Sequence, residues 1–145
     1  MAIRTHQSIS GFVASEPQLS YTERGDARLY MKVGIEHYRK EPDNTFTQLE
    51  TTFHDVIAYR GAAEQGAERI AKGDSIIADG RVREYSYERN GQRYEGEEFI
   101  ATRIGHDLAR TRYEVDRTER SSGRDGAAFS APQRPAPSNA TTIGM

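Results

Sequence analysis

Arg81, Arg83, Tyr85 and Tyr87 stand two residues apart, with Val82 between the first two. In an extended chain successive side chains point to opposite faces, so these four share one side and Val82 takes the other. A guanidinium presents forked donors that match phosphate oxygens, and a phenol ring stacks on a flat heterocycle whatever its hydrogen-bonding edge. Two of each on one face make a platform for a polyanion that also carries stackable rings. Phe53 and Tyr59 repeat the arrangement in a second stretch, again on one parity, with Ile57 between them free to pack inward if the strand coils. Lys32 lies in a third alternating stretch, and Tyr38, Arg39 and Lys40 follow it where a flexible arm could close over a bound strand. Any one of these aromatics is explained as well or better by core or cross-strand packing. A core, however, rarely interleaves aromatics with arginines on the same side.

Period-two patterns require strands to carry them. Over 28–36 the positions Leu29, Met31, Val33 and Ile35 are apolar, which predicts a strand with one core face. Residues 9–14, with Gly11 inside and Glu16-Pro17 after, predict an opening strand that bends and turns. Residues 51–59 are rich in β-branched and aromatic types and predict a third. The pattern breaks over 61–72, where Ala62, Ala63, Ala67, Ile70 and Ala71 form a small apolar stripe and Lys72-Gly73 supplies a basic last turn and a glycine stop, predicting a helix. Residues 75–87 and 92–104 flank Asn90-Gly91, which favours a type I′ turn, and so predict a long hairpin. Three strands, a helix and two strands match a mainly β, five-stranded Greek-key barrel with its helix between the third and fourth strands; a small α+β sandwich is the alternative.

Composition bounds the rest. The 145 residues suit one domain, expected over 1–115, with a disordered extension over 116–145 that is poor in large apolar residues and holds Pro132, Pro135 and Pro137. The 20 basic side chains face 22 acidic ones, for a net charge of -2, so a polyanion site must be local. Without cysteine there is no disulfide, thiolate metal site or cysteine nucleophile. The start has no signal-peptide run and no stretch is apolar enough to cross a membrane, so a cytoplasmic protein is expected. The scattered His6, His37, His54 and His106 form no metal or catalytic motif; His106-Asp107 would point apart on an extended segment, and Glu95, Glu97 and Glu98 read as a solvated strand edge. Neither an enzyme nor a cofactor or metal site is expected.

Gly11 with Glu16-Pro17 and Tyr21, the run 52–59, Ala71-Lys72-Gly73-Asp74, 79–83, and Tyr87 with Asn90-Gly91-Gln92 follow one another at the spacing of a known family. Over about 9–104 the chain resembles the bacterial single-stranded DNA-binding proteins. That resemblance implies an oligonucleotide-binding barrel, a homotetramer, and single-stranded DNA bound on the outside without sequence preference, in replication, recombination or repair. By position it puts Phe53, Tyr87 and Tyr59 where the family stacks aromatics, Arg83 at a basic position, and Tyr38 near an aromatic of the loop after the second strand. The departures are the absence of tryptophan, Asp55 where the family often has a basic residue, and a last stretch over 141–145 without the family's acidic recruiting tip. A protein-interaction barrel with little nucleic-acid binding is the alternative reading.

Overall fold

Alternation in β3 (Ala27–Ile35) places Ala27, Leu29, Met31 and Val33 in the interior, each at most 2% exposed. This strand is the hub of the sheet. It pairs antiparallel with β2 (Gln18–Tyr21) on one side and with β6 (Thr52–Tyr59) on the other. β6 runs parallel to β8 (Gln92–His106), β8 pairs antiparallel with β7 (Ser75–Arg89), and β7 pairs with β1 (Gln7–Val13). β1 then returns to β3 at Phe12↔Gly34 and Val13↔Val33 and closes the ring. The result is a five-stranded oligonucleotide-binding barrel, with closure removing most free edges. The computed structural model describes residues 1–118, so most of the expected 116–145 extension lies outside the described residues.

Glycine makes the closure possible. A Cβ on Gly11 would stand 2.2 Å from the Gly34 carbonyl oxygen, so the β1 backbone approaches β3 more closely than any side chain allows. Val13, Val56, Ala58, Ile76, Ala78, Phe99 and Ala101 complete the core with the β3 residues. Each fully buried Val or Leu contributes roughly 1.5–3 kcal/mol of transfer free energy. Helix α1 (Arg60–Arg69) lies against this core through Ala63 and Gly66, and a Cβ on Gly66 would meet Leu29 at 2.8 Å.

The structure departs from the sequence pattern at four points. The helix ends at Arg69 rather than 72, because Ile70 turns extended and drops into the core while the Asp74 carboxylate accepts from the Ala71 amide at 2.9 Å. Gly73, with φ +97, serves the turn into β7 and is not a helix stop. Tyr38, Arg39 and Lys40 are not a bare loop: they form β4 (Tyr38–Lys40), paired with β5 (Phe46–Gln48) in a separate two-stranded sheet. β2 is an additional short strand, exposed throughout.

The 90–91 turn has both positive φ angles expected of type I′, 54° and 78°. A short 3-10 helix (Leu108–Arg110) follows β8. A compact unit covers Met1–Arg112, and residues 113–118 belong to a second unit in which Asp116 accepts from the Thr118 amide. No helix among the described residues is long and apolar enough to cross a membrane.

Candidate nucleic-acid interface

The outer face of the barrel is built in rows, because register aligns side chains across β3, β6, β8 and β7. In one row Tyr30 opposes Ile57, Ile57 adjoins Ile100, and Ile100 opposes Arg81. Ile57 and Ile100 are both buried, yet they stand outside the main core cluster. Ile57 therefore does not join the interior; it forms an apolar floor under the outer side chains. The next row reads Lys32, Asp55, Glu98, Arg83. Beyond it Phe53 lies opposite Gly34 on β6 and β3, and Tyr85 lies opposite Gly96 on β7 and β8.

Aromatic rings flank the charged row. Tyr87 is opposite Tyr94, their rings stacked with centroids 5.3 Å apart and planes 23° from parallel. Tyr85 continues the ladder, 6.4 Å from Tyr87. Its outer end lies across Gly96, where a Cβ would come within 2.6 Å of the phenol oxygen. These three rings remain 39–51% exposed, so a ligand can reach the ladder. On β6, Phe53 meets Phe12 edge-on at 6.3 Å and is itself largely exposed. Tyr38 and Phe12 line one cavity of about 200 Å³, which brings Tyr38 to the border of this surface.

The charges are paired. Lys32 Nζ lies 2.7 Å from Asp55 Oδ1, which also accepts from the Tyr30 hydroxyl at 2.7 Å. Arg83 donates to Glu98 Oε2 through Nε at 2.8 Å and through Nη2, and Nη2 also reaches the Tyr59 hydroxyl at 3.5 Å. Burial alone would push the Asp55 carboxyl up, but the hydrogen bonds from Lys32 and Tyr30 outweigh it and hold the group below the ordinary carboxylate range. The Asp55 bond raises Lys32, while burial and the same carboxylate raise Tyr30. Bonding to Arg83 lowers the Tyr59 phenol, and Tyr59 with Glu98 raises Arg83.

Of the residues the sequence singled out, Lys32, Phe53, Tyr59, Arg81, Arg83, Tyr85 and Tyr87 share this outer surface. Arg39 does not: it lies on the separate β4–β5 sheet, bound to Glu41 at 3.1 Å. Arg81 has no acid within ion-pair distance among the described residues. Glu95 and Glu97 face away from Glu98, opposite Ser86 and Glu84, so the three glutamates do not converge. His106 bonds Asp74 at 3.0 Å and Asp107 bonds Arg110, so these neighbours serve different contacts. Sequence reasoning missed Tyr94 and Tyr30, and it missed that Asp55 and Glu98 partner Lys32 and Arg83; Glu98, 13% exposed on a strand paired on both sides, is not part of a solvated edge. Tyr94 was within reach, because a two-residue turn at 90–91 fixes Tyr87 opposite it. The acid partners depend on the register between β3, β6 and β8, which no local pattern supplies.

A closed barrel of this topology, with open rings and basic groups on its outside, belongs to the oligonucleotide-binding class. Residues 5–107 match the single-strand binding protein family. The chain belongs to that family. It is 29% identical to the single-stranded DNA-binding protein of Paenarthrobacter aurescens, covering 94% of this chain and 87% of that one. It is 30% identical to single-stranded DNA-binding protein 1 of Streptomyces coelicolor, over 88% of this chain and 78% of that one. The crystal structure of a small single-stranded DNA-binding protein from Streptomyces coelicolor superposes with a TM-score of 0.61 at 27% identity, covering 74% of this chain and all of that one.

Proposed function

We propose that this protein binds single-stranded DNA without sequence preference, laying the strand across the outer face of β3, β6, β8 and β7. The observation that carries this reading is the open tyrosine ladder of Tyr85, Tyr87 and Tyr94 beside Phe53, on a surface that also presents Arg81. Each ring offers a π-face that accepts any base, at roughly 1–3 kcal/mol per stacked base. Arg81 is the first group to meet phosphate, since Lys32 and Arg83 already hold carboxylates. Stacking then supplies more of the affinity than counterion release does. Family membership supports a role in covering strands exposed during replication, recombination or repair, which for a bacterial protein means work in the cytoplasm at the nucleoid. It supports a homotetramer as well, and β1 offers a surface for it: among the described residues, 7–11 pair with β7 on one edge only. Sedimentation with and without oligo-dT gives subunit count and stoichiometry together.

The binding reading is tested by titrating oligo-dT while following tyrosine fluorescence, which eight tyrosines and no tryptophan make readable. Saturable quenching that weakens modestly with salt is expected. Fluorescence that stays unchanged even at low salt overturns the DNA-binding reading and favours a protein-interaction barrel.

A further inference from the structure

We infer that Asp55 and Glu98 hold down the affinity of this face, by occupying the two cations that a strand phosphate would otherwise take. The inference rests on the single-strand reading above. Its basis is the row across four strands, in which Lys32, Asp55, Glu98 and Arg83 succeed one another in register with signs plus, minus, minus, plus. The row sums to zero in the middle of the aromatic surface.

Stability does not call for this arrangement. Partly exposed ion pairs are worth about 0–1 kcal/mol, and setting two carboxylates side by side on adjacent strands costs a similar amount. Competition with phosphate does account for it. Lys32 and Arg83 keep 40% and 41% of their side-chain surface exposed, so a phosphate can reach them, but Glu98 beneath is only 13% exposed and is already in place. A phosphate at Arg83 must share or displace a fork that donates twice to one Glu98 oxygen. At Lys32 it must draw the ammonium from an oxygen that Tyr30 also holds in position. Protonation offers no release near neutral pH, since Asp55 stays ionised below the ordinary carboxylate range. A bound strand therefore gains little from either cation.

The rival account is that the carboxylates position the cations for DNA, in which case losing them weakens binding. Asp55→Asn and Glu98→Gln separate the two, because each keeps one acceptor oxygen for its cation while an amide nitrogen replaces the other oxygen and the charge is lost. Glu97→Gln, on the opposite face, is the control. Each variant and the wild type are titrated with oligo-dT by tyrosine fluorescence between about 50 and 200 mM salt. Asp55→Asn and Glu98→Gln are expected to bind roughly three- to tenfold tighter, with a salt slope steeper by about 0.7 for each freed cation. Glu97→Gln should track the wild type. Equal or weaker binding by both variants, with an unchanged slope, overturns the inference while leaving wild-type binding intact. A wild type that does not bind overturns the function itself, and is seen before any variant is compared. Thermal melts accompany each titration; should Glu98→Gln unfold early, Asp55→Asn decides.

Discussion

Within the barrel, one parity of β7 and β8 carries Ile76, Ala78, Phe99 and Ala101 into the core; farther along the same hairpin that parity carries Glu84, Ser86, Glu95 and Glu97 into solvent. The other parity changes in the opposite sense. In the barrel it holds Arg81 and the Arg83–Glu98 pair, and beyond it Tyr85, Tyr87 and Tyr94. Once the core ends, inward positions have nothing to pack against and become polar, mostly glutamate, while the outward positions, which a solvated sheet would make polar, become rings. An extended ribbon with rings on one side and glutamates, joined by Arg93, on the other favours a polyanion on the ring side. The net charge of -2 thus says little about this ribbon, whose ring side and glutamate-rich side differ.

The contrast between core parity and ring parity can be broken most severely at Leu29. Leu29→Ala empties a site that is 1% exposed and packed beneath the helix, and should cost about 2–5 kcal/mol in chemical denaturation, with oligo-dT affinity of the folded fraction unchanged. Tyr87→Ala should do the reverse. Affinity is expected to fall by about 1–3 kcal/mol in a fluorescence titration, with thermal stability altered by no more than roughly 0.5 kcal/mol. A large loss of stability there would place the ring in a core.

Asp55 gives a smaller, pH-dependent effect. Its folded pKa lies below the ordinary 3.8, so its stabilising contribution is present above that value and disappears as pH falls through the lower folded one. The stability difference between wild type and Asp55→Asn, about 0–1 kcal/mol at neutral pH, should therefore close in melts below about pH 4. Smallest of all is Arg39→Ala, expected to leave the melting midpoint in place and to flatten the salt slope by less than about 0.7, since Glu41 already holds that guanidinium.

These expectations divide along the line of what a sequence shows. Strand β3 was legible because four apolar residues alternate over a buried face, and the hairpin because Asn90-Gly91 suits one turn type. β2, β4 and β5 were not, since strands of three or four residues exposed throughout carry no hydrophobic period. The helix end misled because Gly73 supplies a positive φ for the next turn, and Ile70 reads as helical stripe until the core claims it. The shared face of Arg81, Arg83, Tyr85 and Tyr87 followed from parity alone. That Lys32 and Arg83 are already paired did not, because both partnerships join residues more than a dozen positions apart.

Photocrosslinking tests the central claim most directly. Oligo-dT substituted with 5-iododeoxyuridine, bound and irradiated, should form adducts that mass spectrometry maps to Tyr85, Tyr87, Tyr94 and Phe53, because crosslinking favours rings stacked on the substituted base. Adducts confined to Tyr21, Tyr113 or residues beyond 118, with the four outer-face rings unmodified, would contradict the assignment of this face as the DNA-binding surface.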